Sequence, residues 1–238
     1  MKTNHLLTTL VLLGALLLAS CGSKARVGAL QTESQSVGLG GAEAVSVKIS
    51  FGAGDLDVAG GAEQLLDADF TYNVAALKPE VKYTDGALVL RQLDGNGIAD
   101  WRNISEFRNE WDLRLHNDVP MNLSVSLGGG RCNLQLAGLS LTGLNVTLGG
   151  AACTLDLGGG WARSFDITLD TGAADMIVIL PGAVGVRVEV DAGPTMIIAP
   201  AMTKDGNVYT NTAYGVSDVT LQMKVDAGIG QIYLEVGE

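Results

Sequence analysis

Two neighbouring stretches decide the fold: LSVSLGGGRCNL at positions 123–134 and LNVTLGGAACTL at positions 144–155. Each stretch alternates apolar and polar residues, passes through glycine, and then alternates again. Alternation with a period of two residues indicates a strand with one buried face. Each stretch is therefore predicted to form a strand, a glycine turn and a second strand, with both strands sending side chains into one core.

The same pattern recurs six times along the chain. Apolar residues stand five and three positions before each glycine, and four and six positions after it. The six glycines are Gly52, Gly128, Gly149, Gly172, Gly193 and Gly228. Glycine suits a tight arch because the backbone there takes positive φ or approaches a neighbour closely. The four glycines from Gly128 to Gly193 are 21, 23 and 21 residues apart, which is the length expected for a coil of two strands and two turns.

Equal coil lengths predict that successive coils stack as rungs ~4.8 Å apart. The predicted fold class is all-β: stacked β-arches that form a two-sheeted β-solenoid over residues 44–238. Its N-terminal part, 44–120, is expected to contain a hairpin at the Asp85-Gly86 turn signal and a large aromatic loop. Residues 121–238 form the repetitive part. An ordinary antiparallel sandwich is the alternative, but it does not explain the equal rung lengths.

Residues 1–20 have the pattern of a bacterial signal peptide. Their uncharged apolar run, Leu6 to Leu18, is 13 residues long, whereas a membrane-spanning helix needs ~20. The next stretch, LASCG at 18–22, resembles the lipobox of bacterial lipoproteins, which implies a lipid on Cys21 and cleavage before it. The alternative is an ordinary signal peptide with a chance cysteine.

Residues 21–43 lack apolar periodicity and are predicted to be a lipid-bearing, flexible tether. The lipid would anchor the protein to the cell membrane or the outer membrane, with the domain facing the periplasm or the exterior. The sequence does not distinguish between the two membranes.

The balance of charge excludes several classes of function. The chain has 15 basic and 26 acidic residues, a net charge of −11, which argues against binding to nucleic acid or to anionic lipid. It has two histidines, and one of them, His5, lies in the signal segment. The other, His116, is predicted to be a strand-end residue without a catalytic partner. We therefore expect a protein that is not an enzyme and that needs no cofactor.

Three aspartates, Asp170, Asp191 and Asp226, stand two positions before an arch glycine. On neighbouring rungs they would form an acidic ladder, a weak candidate for calcium binding or for acid–base work on polysaccharides. The favoured interpretation is local, because aspartate before a glycine turn caps the turn by accepting hydrogen bonds from backbone N–H groups.

Cys132 and Cys153 occupy the same inward position on adjacent rungs. An oxidising compartment permits a disulfide. However, stacked Cβ atoms ~4.8 Å apart are farther from each other than the ~3.8 Å that a disulfide prefers. Other rungs place Leu, Met or Ile at this position, so buried free thiols are favoured and the disulfide stays open as the alternative.

Aromatic residues in the irregular segments are candidates for contact with a partner. Trp111 is expected to pack on the core instead. The candidate contact residues are Trp101, Phe107, Tyr209 and Tyr214.

Three stretches carry a resemblance to a known family: SFGAGDLDV at 50–58, RNEWDLRL at 108–115, and Tyr209 to Gly215 before a terminal Gly-x-Gly strand. Together they resemble the bacterial toast-rack domain proteins, which are related to the C-terminal domain of cell-wall-active-antibiotics response proteins and to adhesin-like domains. The resemblance covers about Ala44 to Val236. It implies stacked β-strands and a role in envelope stress or adhesion, and it carries over no catalytic residues.

The sequence therefore predicts a non-enzymatic, lipid-anchored envelope protein that acts as an interaction or structural module, with an envelope protein or a glycan as its partner. The first alternative is a β-helix-type protein that binds or cleaves polysaccharide with the acidic ladder. The second, implied only by the resemblance, is a sensor that partners a membrane histidine kinase.

Overall fold

The computed structural model describes residues 27–92 and 106–237, which fold into fourteen β-strands and one short 3-10 helix, Ala75–Leu77. The all-β prediction is confirmed. The signal segment, Cys21 and Trp101 lie outside the described residues. In the ranges that the structure describes, no helix is long and apolar enough to cross a membrane.

The strands fall into three groups along the chain. The N-terminal strands are β1 (Gln31–Val37), β2 (Val45–Gly60), β3 (Leu66–Tyr72), β4 (Pro79–Thr84), β5 (Ala87–Gln92) and β6 (Asn109–Leu115). The central strands are β7 (Met121–Gln135), β8 (Leu141–Asp156) and β9 (Phe165–Leu180). The last strands are β10 (Gly185–Ala192), β11 (Thr195–Ile198), β12 (Thr203–Asp205), β13 (Val208–Thr210) and β14 (Thr220–Val236).

Each long strand bends where it passes through glycine. In β7 the buried residues are Met121, Leu123, Val125 and Leu127 before the glycines, and Cys132 and Leu134 after them. The buried positions change from odd to even numbers, so the two halves of the strand can face one core only if the chain folds over between them. This is the strand–arch–strand unit that the sequence predicts.

The two halves of the long strands build two sheets. The first halves lie in a sheet with the order β4-β5-β2-β7-β8-β9-β14-β10-β13-β12, here the first sheet. The second halves lie in a sheet with the order β1-β3-β6-β2-β7-β8-β9-β14-β11, here the second sheet. Between them, Phe51 of the first sheet meets Trp111 of the second, with ring centroids 4.9 Å apart. The two-sheeted arrangement is confirmed.

Close approach between rungs explains the glycines of the arches. A Cβ on Gly130 would lie 2.0 Å from the backbone oxygen of Gly54 on the neighbouring rung, and Gly130 has φ +112°. At Gly128 a Cβ would lie 2.4 Å from the backbone oxygen of Gly52. Side chains here would push the rungs apart, so these positions require glycine.

The rungs do not stack entirely in chain order. We expected the arch at Gly193 to follow the arch at Gly172, but β14 lies between β9 and β10. Both halves of β14 pair with β9, from Leu221–Phe165 to Val236–Leu180, whereas the second half of the Gly193 arch is only the four-residue β11. The longer strand therefore pairs with almost the full length of β9 and satisfies more of its backbone hydrogen-bonding groups.

The predicted tether is wrong for one of its segments. Residues 21–43 were expected to be flexible throughout, but β1 lies within them and pairs antiparallel with β3 at the edge of the second sheet. One face is exposed and the other is only half-buried and mostly polar, so no apolar alternation marks it. Polar contacts hold it in place: the Ser36 hydroxyl donates to Asp67 (2.7 Å), and the Tyr72 hydroxyl donates to Glu33 (2.6 Å).

A candidate binding groove on the second sheet

Outward-facing side chains on the second sheet form rows across the strands, because the rungs are parallel and in register. Two rows come from β2, β7, β8, β9 and β14 in that order. The first row is Asp55, Arg131, Ala152, Asp175 and Gln231. The second row is Asp57, Asn133, Thr154, Ile177 and Tyr233.

A dip in these rows creates a groove. Ala152 on β8 stands between Arg131 on β7 and Asp175 on β9, and Thr154 stands between two larger residues in the next row. The strands that carry these larger residues, β7 and β9, are two strand spacings, ~9.6 Å, apart. The resulting groove has a volume of about 640 Å³. We call it the β8 groove.

Cross-strand contacts fix the polar walls of the β8 groove. The Arg131 guanidinium donates from Nε and Nη2 to the two carboxylate oxygens of Asp55, both at 2.9 Å. These hydrogen bonds raise the pKa of the Arg131 guanidinium, and the charge of Asp55 adds to the effect. Asn133 donates to Asp57 (3.2 Å), and the backbone N–H of Gln231 donates to Asp175 (3.1 Å). The walls are thus positioned before any ligand arrives.

At the end of the groove nearer β14, the second row is apolar, whereas the first row is polar at Asp175 and Gln231. Ile177 is 45% exposed, and Tyr233 beside it on β14 is half-buried. Beyond them, Met196 on the edge strand β11 is 61% exposed. Large side chains exposed together on one face favour contact with a partner.

A disulfide joins Cys132 to Cys153 beneath the groove, so the prediction of free thiols is wrong. The two cysteines are direct register partners on β7 and β8, and their Cα atoms are 4.6 Å apart, inside the range that a disulfide accepts. The estimate from sequence assumed Cβ atoms at the full strand spacing, whereas side chains on paired strands can lean together. Both cysteines are buried, and the bond ties the floor strand of the groove to one of its walls.

The acidic ladder exists, on the first sheet. Asp170, Asp226 and Asp191 lie in one row on β9, β14 and β10, in that order rather than in chain order. All three are exposed. Within residues 27–92 and 106–237, no cluster of three or more His, Cys, Asp or Glu side chains is arranged to hold a metal ion.

The turn-capping interpretation of these aspartates is wrong. Strands β9 and β14 continue without a break past Asp170 and Asp226. After Asp191, the backbone N–H of Gly193 donates to the backbone oxygen of Ala227 (2.8 Å) rather than to the Asp191 side chain. In the part of the chain that the structure describes, none of the three carboxylates accepts a hydrogen bond.

The aromatic candidates are scattered. Tyr209 is buried at 6% exposure, because β12 and β13 form a hairpin that pairs with β10 and places Tyr209 beside Val188 in the core; its predicted role as a partner contact is wrong. Phe107 packs, partly buried, on a small cluster at Tyr72 and Val74. Tyr214 is 41% exposed and does not line the groove.

Two minor predictions are confirmed. Trp111 packs in the core at 1% exposure. His116 follows the end of β6, where its Nδ1 accepts a hydrogen bond from the backbone N–H of Asp118 (3.2 Å).

Sequence reasoning missed the β8 groove. The signal was present in the residue that stands three positions after each arch glycine, which is large at Arg131 and Asp175 and small at Ala152. That difference in side-chain size indicates a groove only when the three residues are known to lie on neighbouring strands.

Comparison with solved structures found a close likeness. A candidate cell adhesion protein from Clostridium sporogenes is 29% identical with a TM-score of 0.83, and the match covers 88% of this chain and all of that one. A candidate adhesin from Bacteroides fragilis is 12% identical with a TM-score of 0.36, and the match covers 87% of this chain and 97% of that one. The comparison with curated proteins found no match.

The family comparison covers more than half of the chain. The family model described as the N-terminal domain of toast_rack, DUF2154, matches residues 26–179, a range that includes the β8 groove strands β7, β8 and most of β9. The chain therefore belongs to the toast-rack family.

Proposed function

We propose that this protein is a non-enzymatic adhesion module of the bacterial envelope that binds its partner in the β8 groove. The observation that carries the proposal is the groove itself: fixed polar walls, and exposed apolar side chains at one end, on the outer face of a rigid sheet. Binding surfaces of this kind combine apolar area with a few placed polar groups.

The comparisons support an interaction role. The Clostridium sporogenes protein has the same fold over its whole length, and its name describes a candidate role in cell adhesion. The acidic row on the first sheet, the basis of the polysaccharide-enzyme alternative, lies on an exposed face outside the groove.

The proposed lipid on Cys21 would leave the β8 groove accessible. Nine residues separate Cys21 from β1, which limits the reach between them to ~30 Å. The groove strand β8 is five strand spacings, ~24 Å, from β1 across the second sheet. The groove then lies away from the tethered edge. A role in envelope stress, or as a sensor that partners a membrane kinase, would also require the protein to be anchored to the membrane through Cys21.

Adhesion is tested with a non-adherent bacterial host that expresses the full-length chain. Retention of these cells on layers of fixed epithelial or bacterial cells is the measurement. Ala152→Trp fills the groove without entering the core, because Ala152 faces outward and is exposed. We expect retention to fall about tenfold, the loss typical of a central interface residue.

The matched control is Asn145→Trp, an exposed outward position on the first-sheet half of the same strand. It should leave retention unchanged. Equal retention by both variants would contradict the groove as the binding site. Wild-type retention no higher than that of the empty host would contradict adhesion.

Anchoring has its own test. Cys21→Ser should abolish incorporation of labelled palmitate and move the chain from the membrane fraction to the soluble fraction. A labelled, membrane-bound variant would contradict lipidation at Cys21.

A further inference from the structure

We infer that the ligand of the β8 groove is a neutral oligosaccharide. The inference rests on the proposed function, since it names the class of partner that the same groove would bind. Shape, charge and hydrogen-bonding capacity each support it.

The shape of the groove suits one extended chain. Ala152 and Thr154 on β8 form the floor between the larger side chains of β7 and β9, and the lining extends across the strands from β2 to β14. The backbones of β7 and β9 are ~9.6 Å apart, two strand spacings, so the space above β8 is about one sugar ring wide, and further rings can follow the lining across the strands. The groove lies open on the sheet surface and does not enclose its ligand, as suits a polymer that continues beyond the site.

The charges of the groove favour a neutral ligand. Its lining contains Asp55, Asp57, Asp175 and Arg131, and each of the four already has a hydrogen-bond partner within the protein. Asp55 is paired with the Arg131 guanidinium, whereas Asp57 and Asp175 accept hydrogen bonds from the neutral amide of Asn133 and the backbone N–H of Gln231. Three carboxylates against one guanidinium, on a chain of net charge −11, repel an anionic polysaccharide.

The hydrogen-bonding groups of the groove match sugar hydroxyls. Planar amide, carboxylate and guanidinium groups stand at fixed positions on Asn133, Asp57 and Arg131, and each keeps further donors or acceptors for a ligand. A sugar hydroxyl both donates and accepts, so it satisfies either kind of group. Sugar rings also have apolar faces, which Ile177 and Tyr233 can cover at the end nearer β14.

A peptide strand fits the same surface less well. Extended peptides gain affinity by pairing with the free edge of a sheet. In the second sheet, β7, β8 and β9 are each paired on both sides, so they offer no free backbone groups to a ligand in the groove. The backbone polar groups of a bound peptide would therefore lack partners, at a free-energy cost.

Periodate treatment of the target layer tests the chemistry of the ligand. Mild periodate cleaves the vicinal diols of sugars and leaves most polypeptide intact. We expect it to remove the part of the retention that Ala152→Trp also removes, and we expect excess soluble heparin, a strongly anionic polysaccharide, not to compete. Groove-dependent retention that survives periodate, or that heparin inhibits, would overturn the inference.

Arg131→Ala supplies a second test within the groove, with Arg114→Ala as its control. Arg114 is an exposed arginine on the same sheet that does not line the groove. Arg131→Ala should lower periodate-sensitive retention about tenfold, as for a removed charged hydrogen bond, and Arg114→Ala should not. Equal effects of the two variants would overturn the role of Arg131.

The outcomes separate the two proposals. Absence of retention by the wild type rejects adhesion and the sugar ligand together. Retention that Ala152→Trp abolishes but that resists periodate keeps the adhesion proposal and rejects the sugar.

Discussion

On the outer face of the first sheet, the two rows through Ser124 and Ser126 hold only polar side chains from β2 to β10. On the outer face of the second sheet, small Ala152 stands between Arg131 and Asp175, and Ile177 is exposed. The polar rows are Lys48, Ser124, Asn145, Thr168, Lys224 and Glu189, and Ser50, Ser126, Thr147, Asp170, Asp226 and Asp191.

The two sheets share the same inward pattern, because both must fill one core with aliphatic side chains. Outward positions have no such requirement, so they can differ between the sheets and between rungs. In a repeat fold, the place to look for a site is therefore where an outward row changes abruptly in size or chemistry. Four predictions test how far this contrast between the sheets extends.

The largest effect is expected from Gly130→Ala, because the arches are what place the two sheets face to face. The added Cβ would overlap the backbone oxygen of Gly54 at 2.0 Å, at a φ of +112° that L-residues avoid. We expect a loss of at least ~3 kcal/mol in the free energy of unfolding, measured by denaturant titration.

Gly150→Ala is the matched control for this prediction. A Cβ at Gly150 would meet nothing within 4 Å, and the backbone there requires no positive φ. Its stability should stay within ~0.5 kcal/mol of the wild type. Similar losses of stability for both variants would mean that replacing any arch glycine destabilises the fold, and that close approach between rungs is not the cause.

The next effect belongs to the second sheet alone, where the disulfide lies. Replacing Cys132 and Cys153 together by alanine opens a link across 21 residues of chain. We expect a loss of about 3 kcal/mol in the free energy of unfolding, mainly because the unfolded chain gains freedom. Reductant should lower the stability of the wild type towards that of the variant and leave the variant unchanged. Insensitivity of the wild type to reductant under unfolding conditions would indicate free thiols.

A smaller, pH-dependent effect is expected at the β1 edge of the second sheet. Burial, followed by the hydrogen bond to Glu33, raises the pKa of Tyr72 to about 12. The folded state thus favours the neutral phenol, so this contribution to stability is complete below pH 10 and is lost as the pH rises to about 12. Tyr72→Phe should cost about 1 kcal/mol near neutral pH, the value of one hydrogen bond.

Unfolding at a series of pH values checks the prediction for Tyr72. The stability advantage of the wild type over Tyr72→Phe should shrink between pH 10 and about pH 12. An advantage that stays constant over this range would mean that the Tyr72 phenol titrates alike in the folded and unfolded states.

The smallest effect is expected at the wall of the β8 groove. The side chain of Arg131 is 75% exposed, so its ion pair with Asp55 contributes little to stability. Arg131→Ala should leave the unfolding midpoint unchanged while it lowers retention on the target layer. A clear drop in the midpoint would show that this pair supports the fold, which would weaken the contrast between the two sheets.

The elements that could be predicted from sequence are those with a local signal. The alternation around Gly128 and Gly149 marks the arches, and Asp85-Gly86 marks the hairpin of β4 and β5, whose turn residues both have positive φ. Strand β1 lacks such a signal because neither of its faces is buried. Tyr209 was wrongly predicted to be exposed because a short polar hairpin can still bury one residue.

The sequence by itself determined the all-β class, the arches and the inward ladders, since alternation and glycine act within a few residues of one another. Only the tertiary structure decided that β14 lies between β9 and β10, that Cys132 meets Cys153, and that Ala152 lies between Arg131 and Asp175. The physical reason is that these features depend on which rungs become neighbours. That choice is made by the pairing and burial of whole strands, and no single segment encodes it.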